Sequence, residues 1–121
     1  MSDKVPAGWH TVTPRIVASD PAALVVFLKI VFEATGELQR DAPSQVRIGD
    51  SLLLVSGVGP REVFPAFLYV YVEDADATCR RALEAGAVLL EGVWETPYGD
   101  RRGMVKDPWG NVWQVATHIH R

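Results

Sequence analysis

The stretch Pro97-Tyr98-Gly99-Asp100-Arg101-Arg102-Gly103-Met104-Val105-Lys106-Asp107-Pro108-Trp109-Gly110-Asn111-Val112-Trp113 carries the strongest fold signal in the chain. Asp107-Pro108-Trp109-Gly110 suits a type I turn, with Asp first, Pro presetting φ at the second position and Gly fourth. On either side, β-prone runs near Arg101 to Lys106 and Val112 to Thr117 predict two strands joined by that turn. A further strand is expected before them, at Val88 to Trp94. Upstream of it, Gly86 suits the left-handed end of a helix that Asp74 caps and that runs to about Ala85. A strand at Ala66 to Val72 opens this half, so its order is βαβββ.

The first half repeats the order. A strand is expected near Thr11 to Val17, then Asp20 as an N-cap with Pro21 at the first helical position. Leu24, Phe27, Leu28 and Val31 recur at i, i+3, i+4 and i+7, predicting an amphipathic helix from Pro21 to Ala34. Three strands are expected next, near Gly36 to Arg40, Ser44 to Ile48 and Ser51 to Ser56, with Gly49-Asp50 as the tight connection. Overlaying Asp20 on Asp74 and Gly49-Asp50 on Gly110-Asn111 gives an internal repeat of about 55 residues. The expectation is one α+β domain of two modules, residues 11–57 and 66–118, joined by a turn-rich linker at 57–65.

Composition excludes several classes. Of the residues, 48% are hydrophobic and 22% charged, ordinary for one globular domain. The net charge of −3, with basic residues scattered apart from Arg101-Arg102, argues against a nucleic-acid partner. The single Cys79 allows no internal disulfide, and its place with Ala82 and Leu83 on the inward helix face predicts a buried, inert thiol. The longest apolar run, Leu24 to Leu28, is too short to span a bilayer, and the chain reads as cytoplasmic. No Ser-His-Asp order, phosphate loop or nucleophile elbow is present.

The quoted C-terminal stretch, with Val72-Glu73-Asp74-Ala75-Asp76-Ala77 ahead of Ala85-Gly86-Ala87 and with Arg47-Ile48-Gly49-Asp50-Ser51, resembles the vicinal oxygen chelate superfamily, which includes glyoxalases, bleomycin-resistance proteins and extradiol dioxygenases. It looks most like the small glyoxalase-like branch. The resemblance implies two βαβββ modules whose mixed sheets curl around a cavity, usually in a homodimer. Members include metal-dependent lyases, isomerases and ring-opening dioxygenases, and metal-free proteins that sequester antibiotics.

In metal-dependent members each module supplies a ligand early in its first strand and another in its last strand. Counted from the landmarks above, these positions fall on Thr13 and Phe67 and on Leu53 and Gln114. Phe67 and Leu53 have no donor atom and Thr13 is a rare ligand, which leaves Gln114 to hold an ion alone. A slip of two residues offers Arg15 and Tyr69, which do not complete a site. No cofactor is therefore expected, with a divalent metal as the alternative.

Period two puts Thr13, Arg15 and Val17 on one strand face, and Phe67, Tyr69 and Tyr71 on the matching face of the second module. Arg15 there would meet an anionic or carbonyl group of a ligand, or else reach solvent or an internal carboxylate. Tyr69, Tyr71, Trp94, Tyr98 and Trp113 suit a pocket for a planar organic ligand, though in so small a domain some of them must be plain core. His118 and His120 alternate onto one strand face but lie at the C-terminal end, off the family's ligand positions. The helix surface widened by Val25, Val26 and Ile30 predicts cover from a second subunit.

The leading expectation is a metal-independent homodimer binding a small aromatic or polar organic molecule through Thr13, Arg15, Phe67, Tyr69, Tyr71, Trp94, Tyr98, Trp113 and Gln114. The alternatives are an enzyme of the same superfamily, with Glu37, Glu91 and Glu95 as available bases, and a ligand-free accessory domain with a packed interior.

Overall fold

A computed structural model describes residues 4–119. It is an α+β fold of two mixed sheets with one helix on each. The first half contains β1 (Arg15–Ala18), α1 (Pro21–Phe32), β2 (Ser44–Ile48) and β3 (Ser51–Gly57). The second contains β4 (Phe67–Tyr71), α2 (Ala75–Glu84), β5 (Val88–Glu95), β6 (Asp100–Lys106) and β7 (Val112–His118). The sheet orders are β1-β3-β2 and β4-β7-β6-β5, with β1 parallel to β3 and β4 parallel to β7. Among the described residues, no helix is long and apolar enough to cross a membrane.

The repeat is visible in this topology: β1 matches β4, β3 matches β7 and β2 matches β6. The partner of β5 is reduced to a bridge between Thr35 and Arg47, whose peptide groups exchange hydrogen bonds of 3.0 and 2.9 Å. The strand expected near Gly36 to Arg40 does not form. Gly36 takes φ 133°, and a Cβ there would lie 2.2 Å from Gln45 O, so the chain crosses β2 too closely for a regular ladder. Gln39 N–H then donates to Ser44 Oγ at 2.8 Å instead of to a strand partner.

Boundaries moved for local reasons. β1 begins at Arg15, not Thr11, because Pro14 has no N–H for the ladder; its carbonyl still accepts from Leu54 N at 2.9 Å. α1 stops before Ala34, where Glu33 turns left-handed (φ 56°) and Ala34 N–H returns to Leu28 O at 3.3 Å. Both expected N-caps are in place, Asp20 accepting from Ala23 N and Asp74 from Ala77 N, each at 3.1 Å.

A helix of 12 residues is marginal alone, so packing must hold α1. It buries Leu24, Val25, Phe27, Leu28, Val31 and Phe32, each contributing about 1.5–3 kcal/mol, largely over Ile16, Val46, Leu53 and Val55. Its aromatic residues also join the halves: the rings of Phe32 and Trp113 lie 5.1 Å apart, those of Phe27 and Trp109 5.7 Å. On the second sheet α2 covers Val105, Trp113 and Val115. Cys79 packs here, 4% exposed, and burial pushes its thiol pKa up, as expected of an inert thiol.

The turn after β6 is the most heavily bonded feature. Gly110 N–H closes on Asp107 O at 3.1 Å, as a type I turn requires. The buried Asp107 carboxylate accepts four hydrogen bonds, each 2.9 Å long: from Trp109 N and Asn111 N at Oδ1, and from Asn111 Nδ2 and Trp113 Nε1 at Oδ2. Asn111 Oδ1 in turn accepts from Ala66 N at 2.8 Å, tying the hairpin to the start of β4. Asp107→Ala strands buried donors, so it is expected to lower unfolding free energy by about 3 kcal/mol or more. Denaturant titration of the two proteins measures this, and a loss below about 1 kcal/mol would contradict the assignment.

Candidate functional site

The second sheet has one face under α2 and one open. Even-numbered β4 residues are half-buried toward the helix, while Phe67, Tyr69 and Tyr71 stand on the open face. Register extends that face across the sheet. One rung reads Tyr69, Gln114, Met104, Glu91; the next reads Tyr71, Ala116, Arg102, Trp94; beyond them Asp100 pairs with His118.

Asp100 is the polar centre. Its backbone is locked by Thr96, which donates its N–H to Asp100 O at 2.7 Å and accepts from Asp100 N at Oγ1 at 3.0 Å. Its carboxylate, 2% exposed, accepts from Tyr69 OH at 2.5 Å and Tyr71 OH at 2.8 Å, and Oδ1 lies 3.1 Å from His118 Nδ1. The phenol of Tyr69 is held well above its ordinary pKa by burial and by Asp100, and that of Tyr71 by the Asp100 hydrogen bond first. The same bonds, Tyr69 foremost, hold Asp100 below the usual carboxylate range.

A second group adjoins the first. Arg102 pairs closely with Glu91, donates to Tyr98 OH at 2.8 Å and lies 6.0 Å from the Trp94 ring centroid. Trp94 Nε1 donates to Glu91 at 3.1 Å. Arg102, then Trp94, hold Glu91 below its usual pKa, so it is a weak base. Of the other carboxylates considered as bases, Glu37 pairs with Lys29 at 3.9 Å and Glu95 with Arg101 at 4.0 Å.

The structure thus brings Tyr69, Tyr71, Trp94, Tyr98 and Gln114 onto one face, with Phe67 at its end, 65% exposed. Trp113 is on the opposite face, fully buried, its Nε1 committed to Asp107. Thr13 precedes β1. Arg15 is exposed on the first sheet, its Nε donating to Ser56 Oγ at 3.1 Å. Sequence reading missed Asp100 and Arg102 as site residues, weighed Glu91 only as a general base and His118 only as a metal ligand; His120 lies outside the described residues. The period-two run Asp100, Arg102, Met104, read against Gln114 and His118, was the available signal.

A cavity of about 800 Å³ lies elsewhere, between the two halves on the helix side of the sheets. Of the nine candidates only Tyr69, Tyr71 and Trp113 border it.

A family model described as the glyoxalase/bleomycin resistance protein/dioxygenase superfamily matches residues 10–115, and the chain belongs to that family. TioX from Micromonospora sp. ML1 superposes with a TM-score of 0.76 at 22% identity, over 91% of this chain and 99% of that one. A glyoxalase/bleomycin resistance protein/dioxygenase family enzyme from Burkholderia phytofirmans gives 0.73 at 20% identity, over 87% and 95%. An uncharacterized protein of Mycobacterium bovis is 28% identical over 126 residues, covering 88% of this chain and 82% of its own length.

The residues do not fit the divalent metal of the family's lyases and dioxygenases. Leu53 is buried beneath α1, and the β3 residue on the open face is Leu54, paired with Arg15 as Gln114 is with Tyr69. Neither leucine nor Phe67 has a donor atom. Among the described residues no three His, Cys, Asp or Glu side chains are grouped to hold an ion.

Because each phenol is neutral while it donates to Asp100, the stability it adds is present below the ordinary tyrosine pKa of 10.0 and lost as pH rises through the higher folded value. Alkaline absorbance titration is expected to show Tyr69 and Tyr71 ionising late, and Asp100→Asn is expected to move them back toward the ordinary range. Unmoved tyrosine midpoints in that variant would contradict the network.

Proposed function

We propose that the protein is a metal-independent binder, of the sequestration or resistance type, that takes up a small aromatic or polar organic molecule on the open face of the second sheet. The observation that carries this reading is the Asp100 cluster. Both hydroxyl protons of Tyr69 and Tyr71 are committed to a buried carboxylate, so the phenol oxygens offer only lone pairs outward. Beside them Trp94 and Tyr98 offer flat apolar surface, 44% and 59% exposed. The ligand this face suits has a planar apolar body bearing hydroxyl or amine donors. The absence of donor atoms at Leu53 and Phe67 supports binding without a metal. The working form is a twofold homodimer covering Val26 and Ile30, which are 55% and 53% exposed on α1.

Mass spectrometry of protein purified without an affinity tag identifies the retained molecule, and calorimetric titration then measures its affinity. Tyr71→Phe keeps the ring and deletes one acceptor, so affinity is expected to fall by about 2- to 10-fold. Unchanged affinity would remove the open face as the site, and stoichiometric zinc, nickel, iron or manganese would overturn metal independence. Light scattering at low micromolar concentration is expected to give twice the single-chain mass of 13.3 kDa, and the single-chain value would overturn the dimer.

A further inference from the structure

The cavity between the two halves is a different space from the open face. Trp113 borders it while Gln114, the next residue along β7, faces the other way. Its volume of about 800 Å³ lies within the range of small-molecule sites. Apolar walls come from Val31, Phe32, Leu53, Leu68 and Trp113. Its mouth carries the exposed carboxylates of Glu33, Asp50, Glu73 and Asp74, the last of which caps α2.

One strong cation borders this apolar space. Arg81 Nη2 donates to Val31 O at 3.0 Å and Thr78 Oγ1 at 3.1 Å, which fixes the plane of the guanidinium. Its Nε is buried without a partner, Nη1 makes no hydrogen bond, and no carboxylate oxygen lies within 4.0 Å among the described residues. A cation against apolar walls without a counter-ion is costly, and an anionic group on a ligand removes that cost. The free edge of β4 adds polar groups. Ala66 O and Val72 N bond to β7, so the same parity turns Leu68 and Val70 inward and directs the peptide groups of Tyr69 and Tyr71 off the outer edge, toward the cavity.

We propose that this cavity is a second binding site, specific for a small organic monoanion, such as a carboxylate, whose apolar body lies between Phe32, Leu53 and Trp113 and whose charge meets Arg81. The acidic mouth restricts the guest to one negative charge, because di- and polyanions meet Glu33, Asp50 and Glu73 on entry. The site rests on Arg81 and not on Asp100 or Arg102, which do not border it; Tyr69 and Tyr71 border both spaces, with their phenols bonded to Asp100 on the open face.

The test uses two dyes of similar aromatic body on the full chain: anilinonaphthalene sulfonate, which carries one negative charge, and phenylnaphthylamine, which carries none. The charged dye is expected to bind the folded protein with one site per chain, and the neutral dye about tenfold or more weakly. Arg81→Met is expected to weaken the charged dye by about 10- to 100-fold and to leave the neutral dye unchanged. Because Arg81 also holds the end of α1, a thermal melt accompanies the variant, and the comparison of dyes on the unaltered protein stands even if the variant does not fold. Equal binding of the two dyes, or charged-dye affinity retained in folded Arg81→Met, would overturn the proposal. So would loss of the charged dye in Asp100→Asn, which would place the dye on the open face instead.

Discussion

The Asp107 carboxylate is the interaction on which the rest of the second half depends. Its four hydrogen bonds hold the turn, the Asn111 side chain and the Trp113 indole together, and Asn111 passes the constraint to the start of β4. β7 lies between β4 and β6, so the turn sets register on both of its sides at once. A slip of one residue would carry Trp113 to the open face and Gln114 into the core. The burial of Trp113 and its bond to Asp107 exclude that slip, and Tyr69, Tyr71 and Asp100 meet only in the register that remains.

The chemistry of the open face follows from where its protons are committed. Two phenols give their single protons to Asp100, and Arg102 spends its terminal nitrogens on Glu91 and Tyr98. The groups left outward are phenol lone pairs, ring faces and the Gln114 amide. A buried carboxylate behind two phenols also gives this face a negative bias, whereas the first sheet carries Arg15 in the place matching Tyr69. The cavity between the halves has the opposite character, a cation set in apolar walls. Side chains of alternate parity on the same strands therefore serve two spaces of unlike polarity.

Much of the fold was legible because its signals are local. N-caps at Asp20 and Asp74, the period of α1 and the turn at Asp107 each rest on chemistry within a few residues, and each is where the sequence places it. The strand expected after Gly36 failed for a nonlocal reason, the close crossing at Gln45 O, which no window of sequence contains. The site divides the same way. Alternation put Tyr69 and Tyr71 together correctly, but their partner Asp100 lies about 30 residues away and depends on the pairing of β6 with β7. Counting landmarks put Leu53 at a ligand position, but the parallel pairing of Arg15 with Leu54 moves that position one residue on, to Leu54, and leaves Leu53 in the core.

The two halves make plain why fold and function separate in this chain. Both run strand, helix, then strands, with the first strand parallel to the last, and Arg15 opposite Leu54 occupies the geometry of Tyr69 opposite Gln114. The backbone in the two places is equivalent, yet one face carries Arg15 bonded to Ser56 and Arg47 bonded to Gly8 O, and the other is a bonded aromatic cluster. What differs is whether the neighbouring strand brings a complementary group. β6 has Asp100 and Arg102 to meet the tyrosines and Trp94, while β2 offers Gln45 opposite Leu54. The matching strand beyond β2 is reduced to the bridge at Thr35, so the first half has no counterpart of Glu91 and Trp94. The scaffold supplies the rungs, and the side chains of its second half supply the site.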